Sequence, residues 1–220
     1  MNKISHNVYR NEKGELFTLT KDKKSIYGEK IIFKENKFYR LWTPFRSKLS
    51  ASLHRKLKSL NIKEDSIVLY IGCASGTTVS HISDIVTKGM IFAIDISPKE
   101  IMQIYFKLSK RNNVSPILAD ARNPAGYKNN LYGLKADVLI QDIACKDQVE
   151  ILIKNSKEFL KKNGEIYFSL KTKSISQIKS STKILEDVKQ SLLTNFILLK
   201  SVNLRKYEDN HWLLHLRKNI

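Results

Sequence analysis

The stretch that decides the fold is Ile67-Val68-Leu69-Tyr70-Ile71-Gly72-Cys73-Ala74-Ser75-Gly76-Thr77-Thr78-Val79-Ser80-His81-Ile82. An apolar run stops at Gly72, a second glycine follows at Gly76, and a helix-period apolar pattern begins after two threonines. This order predicts a strand, a tight glycine turn and a helix N-terminus. Because such a turn lets a ligand approach the backbone, and the first N–H groups of a helix lack partners, we expect a small-molecule site here.

The charge of the protein indicates what kind of macromolecule it binds. The 220 residues carry a net charge of +18, and residues 1–60 hold 15 Lys and Arg against 5 Asp and Glu. Such an excess favours a polyanionic partner such as nucleic acid. A nucleotide-biased genome that inflates lysine, or lysines that merely solvate the surface, would explain the same excess.

Several other classes are disfavoured by the sequence. No apolar run approaches the ~18 residues of a membrane span, and the N-terminus lacks an apolar signal region, so we expect a cytoplasmic protein without membrane association. The two cysteines, Cys73 and Cys145, are too few and too isolated for a disulfide framework or a zinc site. We therefore expect two reduced thiols and no metal.

Two regions differ in their pattern. Residues 1–45 alternate short β-type runs with turn signals and predict a small N-terminal antiparallel β domain. Its strands are expected at 8–10, 16–19, 30–34 and 38–42. Residues 46–220 are expected to form a second domain that starts with a helix at 46–60.

In the second domain strands and helices alternate, which predicts an α/β fold with a mostly parallel sheet. The expected strands are 66–71, 90–95, 115–118, 136–141, 164–170, 196–203 and 211–217. The expected helices are 77–86, 98–112, 146–162 and 174–194. Because no helix separates the last two strands, we expect an antiparallel pair at one end. This seven-stranded arrangement resembles the Rossmann-like methyltransferase fold.

Acidic residues follow three of the predicted strands. Since the carboxyl ends of parallel strands share one crevice, Gly72, Asp95, Asp120 and Asp142 are expected around one pocket. Taken singly, each aspartate is better explained as a helix N-cap or turn residue. Together they suit S-adenosylmethionine, whose ribose, adenine amine and sulfonium cation all bind carboxylates. The missing G-x-G-x-x-G spacing disfavours NAD, and the missing lysine-tipped phosphate loop disfavours ATP.

Six motifs, in order along the chain, resemble those of the fibrillarin family in its short archaeal form. They are Tyr27-Gly28-Glu29, Arg40 to Leu49, Val68 to His81, Asp120-Ala121-Arg122-Asn123-Pro124, Asp147-Gln148 and Tyr207-Glu208-x-x-His211. The resemblance implies methyl transfer from S-adenosylmethionine to ribose 2′-hydroxyls of rRNA and tRNA within a box C/D ribonucleoprotein. It also implies the partners: a box C/D guide RNA, a target RNA, a Nop-domain scaffold protein and a kink-turn-binding ribosomal-protein relative.

The resemblance also assigns site residues by motif. The implied catalytic set is Lys48, Asp142, Lys171 and His211. The implied cofactor contacts are Gly72, Thr77, Thr78, Asp95, Ile96, Asp120, Ala121, Asp142, Ile143, Ala144 and Cys145. Three positions depart from the family pattern: Asp95 stands for the usual Glu, Cys145 for Gln, and Asn210 for Asp.

Roles follow from the residue types. A ribose hydroxyl must be aligned and must lose its proton, which a neutral lysine can accept. We expect Lys171 to be that base, Lys48 and His211 to position the ribose or a phosphate, and Asp142 to orient Lys171 and help hold the cofactor. Two alternatives stay open: a stand-alone RNA methyltransferase, and a structural ribonucleoprotein subunit that has lost catalysis.

Overall fold

The first of two β-sheets lies at the N-terminus of the computed structural model, which describes residues 1–219. Its strands are β1 (Asn2–Ser5), β2 (Val8–Arg10), β3 (Leu16–Thr20), β4 (Ile31–Lys34) and β5 (Lys37–Leu41). They pair antiparallel in the order β1-β2-β3-β5-β4, which confirms the predicted antiparallel sheet. Strand β1 was not predicted, because its four residues, half of them exposed, carry no alternating apolar pattern.

The second sheet has seven strands in the order β11-β12-β10-β9-β6-β7-β8. They are β6 (Ile67–Ile71), β7 (Met90–Asp95), β8 (Val114–Leu118), β9 (Ala136–Gln141), β10 (Leu160–Lys171), β11 (Phe196–Asn203) and β12 (His211–Lys218). Strands β6 to β10 are parallel, and β12 is antiparallel to both of its neighbours. The predicted α/β fold, including the terminal antiparallel pair, is confirmed.

Six helices and one 3₁₀ segment accompany these strands within residues 1–219. The helices are α1 (Lys48–Arg55), α2 (Thr77–Ile85), α3 (Pro98–Lys107), α4 (Gln148–Phe159), α5 (Thr172–Ile175) and α6 (Ser181–Leu192), and the 3₁₀ segment is Pro124–Leu131. None of the helices within residues 1–219 is long and apolar enough to cross a membrane.

Some predicted helix limits were wrong for identifiable reasons. Helix α1 ends at Arg55 and not at residue 60. The prediction was too long because Leu57 and Leu60 continue the helical spacing, although they are buried by tertiary packing after the helix has ended. The helix predicted at 174–194 is two helices, since the Ser180 side chain accepts a hydrogen bond from Lys183 N and starts α6 anew. The 3₁₀ segment was not predicted because its residues show no helical periodicity.

A buried ionic cluster joins the two sheets. Arg40 on β5 is fully buried, and its guanidinium binds Glu29 at 2.7 Å and Asp84 on α2 at 2.8 Å. Asp84 also pairs with Arg111 at 2.7 Å and accepts a hydrogen bond from Thr18 Oγ1 at 2.7 Å. Charges buried this deeply are tolerated only when every partner is present.

Apolar packing continues across the same junction. Val8, Leu16 and Trp42 belong to one buried cluster with Val79 and Ile82 of α2. The N-terminal sheet therefore shares a hydrophobic core with the second sheet's helical layer. The division of the chain into domains at residues 45 and 46 stays a prediction.

Arg40→Met is expected to lower the free energy of unfolding by about 3–5 kcal/mol, because it leaves the buried Glu29 carboxylate without its cation and Asp84 with Arg111 alone. Lys34→Met is the matched control, since Lys34 pairs with Glu35 at the exposed surface, where such pairs contribute about 0–1 kcal/mol. Chemical denaturation of both variants measures the difference. Equal losses in the two variants would contradict the role given to Arg40.

Candidate functional site

The glycine turn between β6 and α2 is shaped by close approach of two strand ends. Gly72 has φ +76°, and a Cβ added there would lie 2.5 Å from the carbonyl oxygen of Asp142. Gly76, at φ +87°, begins α2 without a side-chain cap. Tyr27 of the N-terminal region donates its hydroxyl to Ser75 O at 2.6 Å and so holds the turn from outside. Only glycine fits at position 72.

A cavity of about 340 Å³ opens at the carboxyl ends of β6, β7, β8 and β9. Its volume is that of a small-ligand site. It brings together most of the predicted cofactor residues: Gly72, Asp95, Ile96, Asp120, Ala121, Asp142, Ile143, Ala144 and Cys145.

Thr77 and Thr78 are not among the residues that line this cavity. Thr78 is buried and donates its hydroxyl to Ser47 Oγ at 3.1 Å, so its side chain is turned toward the start of α1. Thr77 is the first residue of α2. A cofactor contact from either threonine stays a prediction.

Asp95 is held by the glycine turn itself. Its Oδ2 accepts a hydrogen bond from Ala74 N at 2.9 Å, and its Oδ1 accepts one from Ser97 N at 3.0 Å. Because a carboxylate oxygen has two lone pairs, each oxygen still accepts one further donor. Vicinal ribose hydroxyls are donors of this kind, so Asp95 fits a nucleoside although it is one methylene shorter than Glu.

The rim of the cavity carries a second set of charges. Arg122 binds Asp147 at 2.7 Å and Asp120 at 3.4 Å. Burial and a hydrogen bond to Asp147 raise the pKa of the Cys145 thiol to about 11. The thiol is therefore neutral at physiological pH and not a nucleophile.

Asp142 connects this cavity to a second one. Lys48 Nζ lies 3.1 Å from Asp142 Oδ2, with both side chains about a quarter exposed. The two residues line a cleft of about 140 Å³ together with Phe45, Arg46 and Glu208. Asp142 thus lies at the wall between a cofactor-sized cavity and a smaller cleft.

Lys171 and His211 stand directly opposite each other in the β10–β12 ladder. Opposed residues in an antiparallel pair place their side chains on the same face. The end of β10 is clamped by buried Gln148, whose Oε1 accepts from Lys171 N and whose Nε2 donates to Lys171 O, both at 3.0 Å.

The structure gives Asp142 a lysine partner other than Lys171, and the expected orientation of Lys171 by Asp142 stays a prediction. Asp142 pairs with Lys48, and Lys171 Nζ has no ion-pair partner within the 219 described residues. The reason is tertiary: the α1 N-terminus, capped by Ser47, lies against the β9 end and delivers Lys48 to the carboxylate. The catalytic role of each of these residues stays a prediction.

His211 is held in one tautomer. Its Nδ1 is 2.7 Å from the carbonyl oxygen of Asp209, and since a carbonyl only accepts, Nδ1 carries the proton. Burial lowers the pKa of His211, the hydrogen bond to Asp209 opposes this, and the charge of Lys48 lowers it further. The neutral ring therefore presents Nε2 as a hydrogen-bond acceptor.

Two motif residues have structural roles that the sequence did not reveal. Gln148 also donates to Cys145 O at 2.9 Å and thereby ties the cavity loop to β10. Asn210 adopts φ +59°, and its carbonyl accepts from Thr172 N and Oγ1. Because Asn210 acts through its backbone and Asn tolerates this conformation, the replacement of Asp is accommodated.

The mostly parallel seven-stranded sheet, its terminal antiparallel strand and the ligand-sized cavity at its carboxyl edge define the class of Rossmann-like methyltransferases. The family model for fibrillarin matches residues 2–219. A fibrillarin-like rRNA/tRNA 2′-O-methyltransferase of Thermococcus gammatolerans is 41% identical over 194 residues, 88% of this chain and 85% of the relative. The chain belongs to the fibrillarin family.

Solved structures agree with this assignment. A Methanococcus jannaschii fibrillarin pre-rRNA processing protein superposes with a TM-score of 0.94 at 35% identity, covering 99% of this chain and 96% of that one. A chain of a fibrillarin/Nop5p complex gives 0.90 at 37% identity, covering 99% and 100%. Aeropyrum pernix fibrillarin with natively bound S-adenosyl-L-methionine gives 0.83 at 31% identity, covering 95% and 92%.

Gly72→Ala is expected to destabilise the protein by about 3 kcal/mol or more, because left-handed strain and a backbone clash with Asp142 add together. Gly133→Ala is the control: Gly133 also has a positive φ, +74°, but faces open space, so strain alone predicts a loss of about 1–2 kcal/mol. Thermal or chemical unfolding measures both. A Gly72→Ala loss no larger than that of Gly133→Ala would show that β6 and β9 do not need this close approach.

Proposed function

We propose that this chain transfers a methyl group from S-adenosylmethionine to ribose 2′-hydroxyls of rRNA and tRNA, as the catalytic subunit of a box C/D ribonucleoprotein. The observation that carries the proposal is the position of Asp142, which lines both the 340 Å³ cavity and the 140 Å³ cleft. A methyl donor in the larger cavity and a ribose in the smaller cleft would meet at this residue.

The residues of the larger cavity fit the cofactor. When bound, S-adenosylmethionine supplies an electrophilic methyl group on a sulfonium. Asp95 would accept hydrogen bonds from its ribose hydroxyls and Asp120 one from its adenine amine, while Asp142 lines both this cavity and the acceptor cleft. The glycine turn lets the ligand approach the backbone between Gly72 and Ala74.

Three residues act on the ribose: Lys48, which lines the cleft, and Lys171 and His211, which face each other at the end of β10 and the start of β12. Lys171 accepts the hydroxyl proton, and its side chain lacks a competing carboxylate partner among residues 1–219. Lys48, fixed by Asp142, meets a phosphate or ribose oxygen. His211 Nε2 accepts a hydrogen bond and orients the hydroxyl. Orientation of the two reactants supplies much of the rate.

The partners are proposed on the same basis. A guide RNA and a target RNA suit the net charge of +18. A Nop-domain scaffold protein is supported by the superposition on a chain from the fibrillarin/Nop5p complex. A kink-turn-binding ribosomal-protein relative completes the particle, and the cytoplasmic location stays a prediction.

The deciding experiment is a tritiated-methyl assay with the chain alone and with the reconstituted particle. Transfer to a guided ribose only in the particle supports the proposal. Equal transfer to naked RNA would favour the stand-alone methyltransferase. Absence of transfer in an intact particle would favour a structural subunit that has lost catalysis. That alternative is suggested by the departures from the family pattern at Cys145 and Asn210.

Lys171→Ala is expected to reduce methyl transfer by at least about 100-fold, because it removes the proton acceptor, whose contribution is typically 10²–10⁴-fold. Cofactor affinity by calorimetry should stay close to that of the unaltered protein. Lys173→Ala is the control, since the Lys173 ammonium is bound locally to Gln177 O. Full turnover in Lys171→Ala would remove the residue from the mechanism.

Asp95→Ala is expected to weaken S-adenosylmethionine binding by about tenfold or more, the loss of hydrogen bonds to a charged acceptor. Asp187→Ala is the control, because Asp187 binds Lys179 and Lys183 on the surface of α6. Calorimetry of the two variants makes the comparison. An unchanged dissociation constant in Asp95→Ala would show that the cofactor does not occupy the cavity as proposed.

A further inference from the structure

Gln148 is a fully buried amide side chain that is bonded to two separate parts of the site. It is the first residue of α4. Its Nε2 donates to Cys145 O at 2.9 Å and to Lys171 O at 3.0 Å, and its Oε1 accepts from Lys171 N at 3.0 Å. Both amide hydrogens and one lone pair of the amide oxygen are therefore used, and each of the three bonds goes to a backbone group.

The bonds to Lys171 replace a strand partner that is missing there. The last paired residues of the β9–β10 ladder are Gln141 and Phe168, so β10 continues to Lys171 without a β9 residue beside it. The N–H and C=O of Lys171 face this side and need partners. Because both groups are turned away from β12, Lys171 and His211 form a non-hydrogen-bonded pair, the kind in which opposed side chains lie closest.

The same glutamine also holds the loop on the cofactor side. Residues 142–145 follow β9 and line the 340 Å³ cavity. Just before this loop, Gln141 Nε2 donates to Gln148 O at 2.6 Å. At its end, Cys145 O accepts from the Gln148 amide. Gln148 therefore binds the loop at both ends, once through its own carbonyl and once through its side chain.

The separation of Lys171 from the bound cofactor depends on the backbone. Lys171 does not line the cofactor cavity, and its Nζ has no ion-pair partner within residues 1–219 that would fix it from outside. The Gln148 side chain is bonded both to the Lys171 backbone and to the cofactor loop. In an oriented reaction a misplacement of about 1 Å can cost about 100-fold in rate.

We propose that Gln148 is a positioning residue for methyl transfer, which sets the distance between the Lys171 proton acceptor and the cofactor loop at Cys145. The inference rests on the proposed function and deepens it. Gln148 lines neither the cofactor cavity nor the 140 Å³ cleft, so it touches neither the cofactor nor the ribose. It takes no proton and acts only through the backbone groups that it binds.

The first test compares kinetics of reconstituted particles at saturating cofactor and RNA. Gln148→Met keeps the size of the side chain and removes all three side-chain hydrogen bonds, so kcat is expected to fall about 10- to 100-fold. The KM for RNA should not change, and saturation excludes weaker cofactor binding as the cause. Gln148→Asn is the milder variant: its amide is one methylene shorter and no longer reaches both Cys145 and Lys171, so kcat should fall there too.

Asn113→Leu is the matched control. The Asn113 amide donates to Ser83 O at 2.9 Å and to Val86 O at 2.5 Å, and its Oδ1 accepts from Ser83 Oγ at 2.8 Å. It thus makes the same number of hydrogen bonds as the Gln148 side chain, but at the end of α2 and outside both the cavity and the cleft. The kcat of Asn113→Leu should equal that of the unaltered particle at temperatures where circular dichroism shows both variants folded.

A second test asks whether Gln148 acts through Lys171. Gln148→Met, or Gln148→Asn if the methionine variant does not fold, is combined with Lys171→Ala in a single-turnover assay with enzyme in excess. If Gln148 positions the Lys171 side chain, the second substitution should slow the residual transfer by no more than about twofold, since nothing is left to position. Independent effects would multiply and lower the rate by the full factor seen in the single variant.

Three results would overturn the inference: an unchanged kcat in a folded Gln148 variant, an equal loss of kcat in Asn113→Leu, and multiplying losses in the double variant. In each of these cases the unaltered particle still transfers methyl groups, so the proposed function stands. Full turnover in Lys171→Ala would remove both the base and the residue that positions it. An unaltered particle that transfers no methyl group would instead overturn the proposed function itself.

Discussion

The position of the N-terminal sheet on the rest of the molecule depends on the ion pairs of one fully buried guanidinium, that of Arg40. It is bonded to Glu29 in the N-terminal region and to Asp84 on α2. Because a charge without access to water is costly to leave unpaired, these two ion pairs favour the observed position of the N-terminal sheet on the helical layer of the second sheet. The neighbouring His81 is kept neutral, since burial and then the charges of Arg40 and Arg111 lower its pKa well below the usual range.

The position of the N-terminal sheet also affects the glycine turn at the opposite end of α2. With the N-terminal sheet fixed, the Tyr27 hydroxyl reaches Ser75 O and holds the glycine turn. Arg46 reaches Tyr27 O, and the chain that follows starts α1 with Lys48 against Asp142. The small sheet is therefore part of the site, although it contributes no residue to the 340 Å³ cavity itself.

Local patterns predicted the elements that short-range physics controls. The five-residue apolar run that stops at Gly72 predicted a buried strand. The common location of Asp95 and Asp142 at the ends of their strands followed from the rule that parallel strands end at one edge. The leucines of residues 49–60 led to a helix prediction that was too long, because their burial is not a local property. Leu57 and Leu60 are buried by packing outside any helix, and spacing alone does not distinguish the two situations.

The site shows the same difference between features that follow from local sequence and features that follow from tertiary packing. Local patterns and residue chemistry determined the strands, the glycine turn, the acidic residues at the strand ends and the motifs shared with the fibrillarin family, because each strand, turn or motif is a short run of adjacent residues. Only the tertiary structure decided four contacts of the site: the pairing of Asp142 with Lys48, the tautomer of His211, the hydrogen bonds of Gln148 to β10 and the edge-to-face contact of Phe45 with Tyr207. Most of these contacts join residues that are far apart in the chain, and all of them depend on how the helices and loops pack on the finished sheets, which local sequence does not encode.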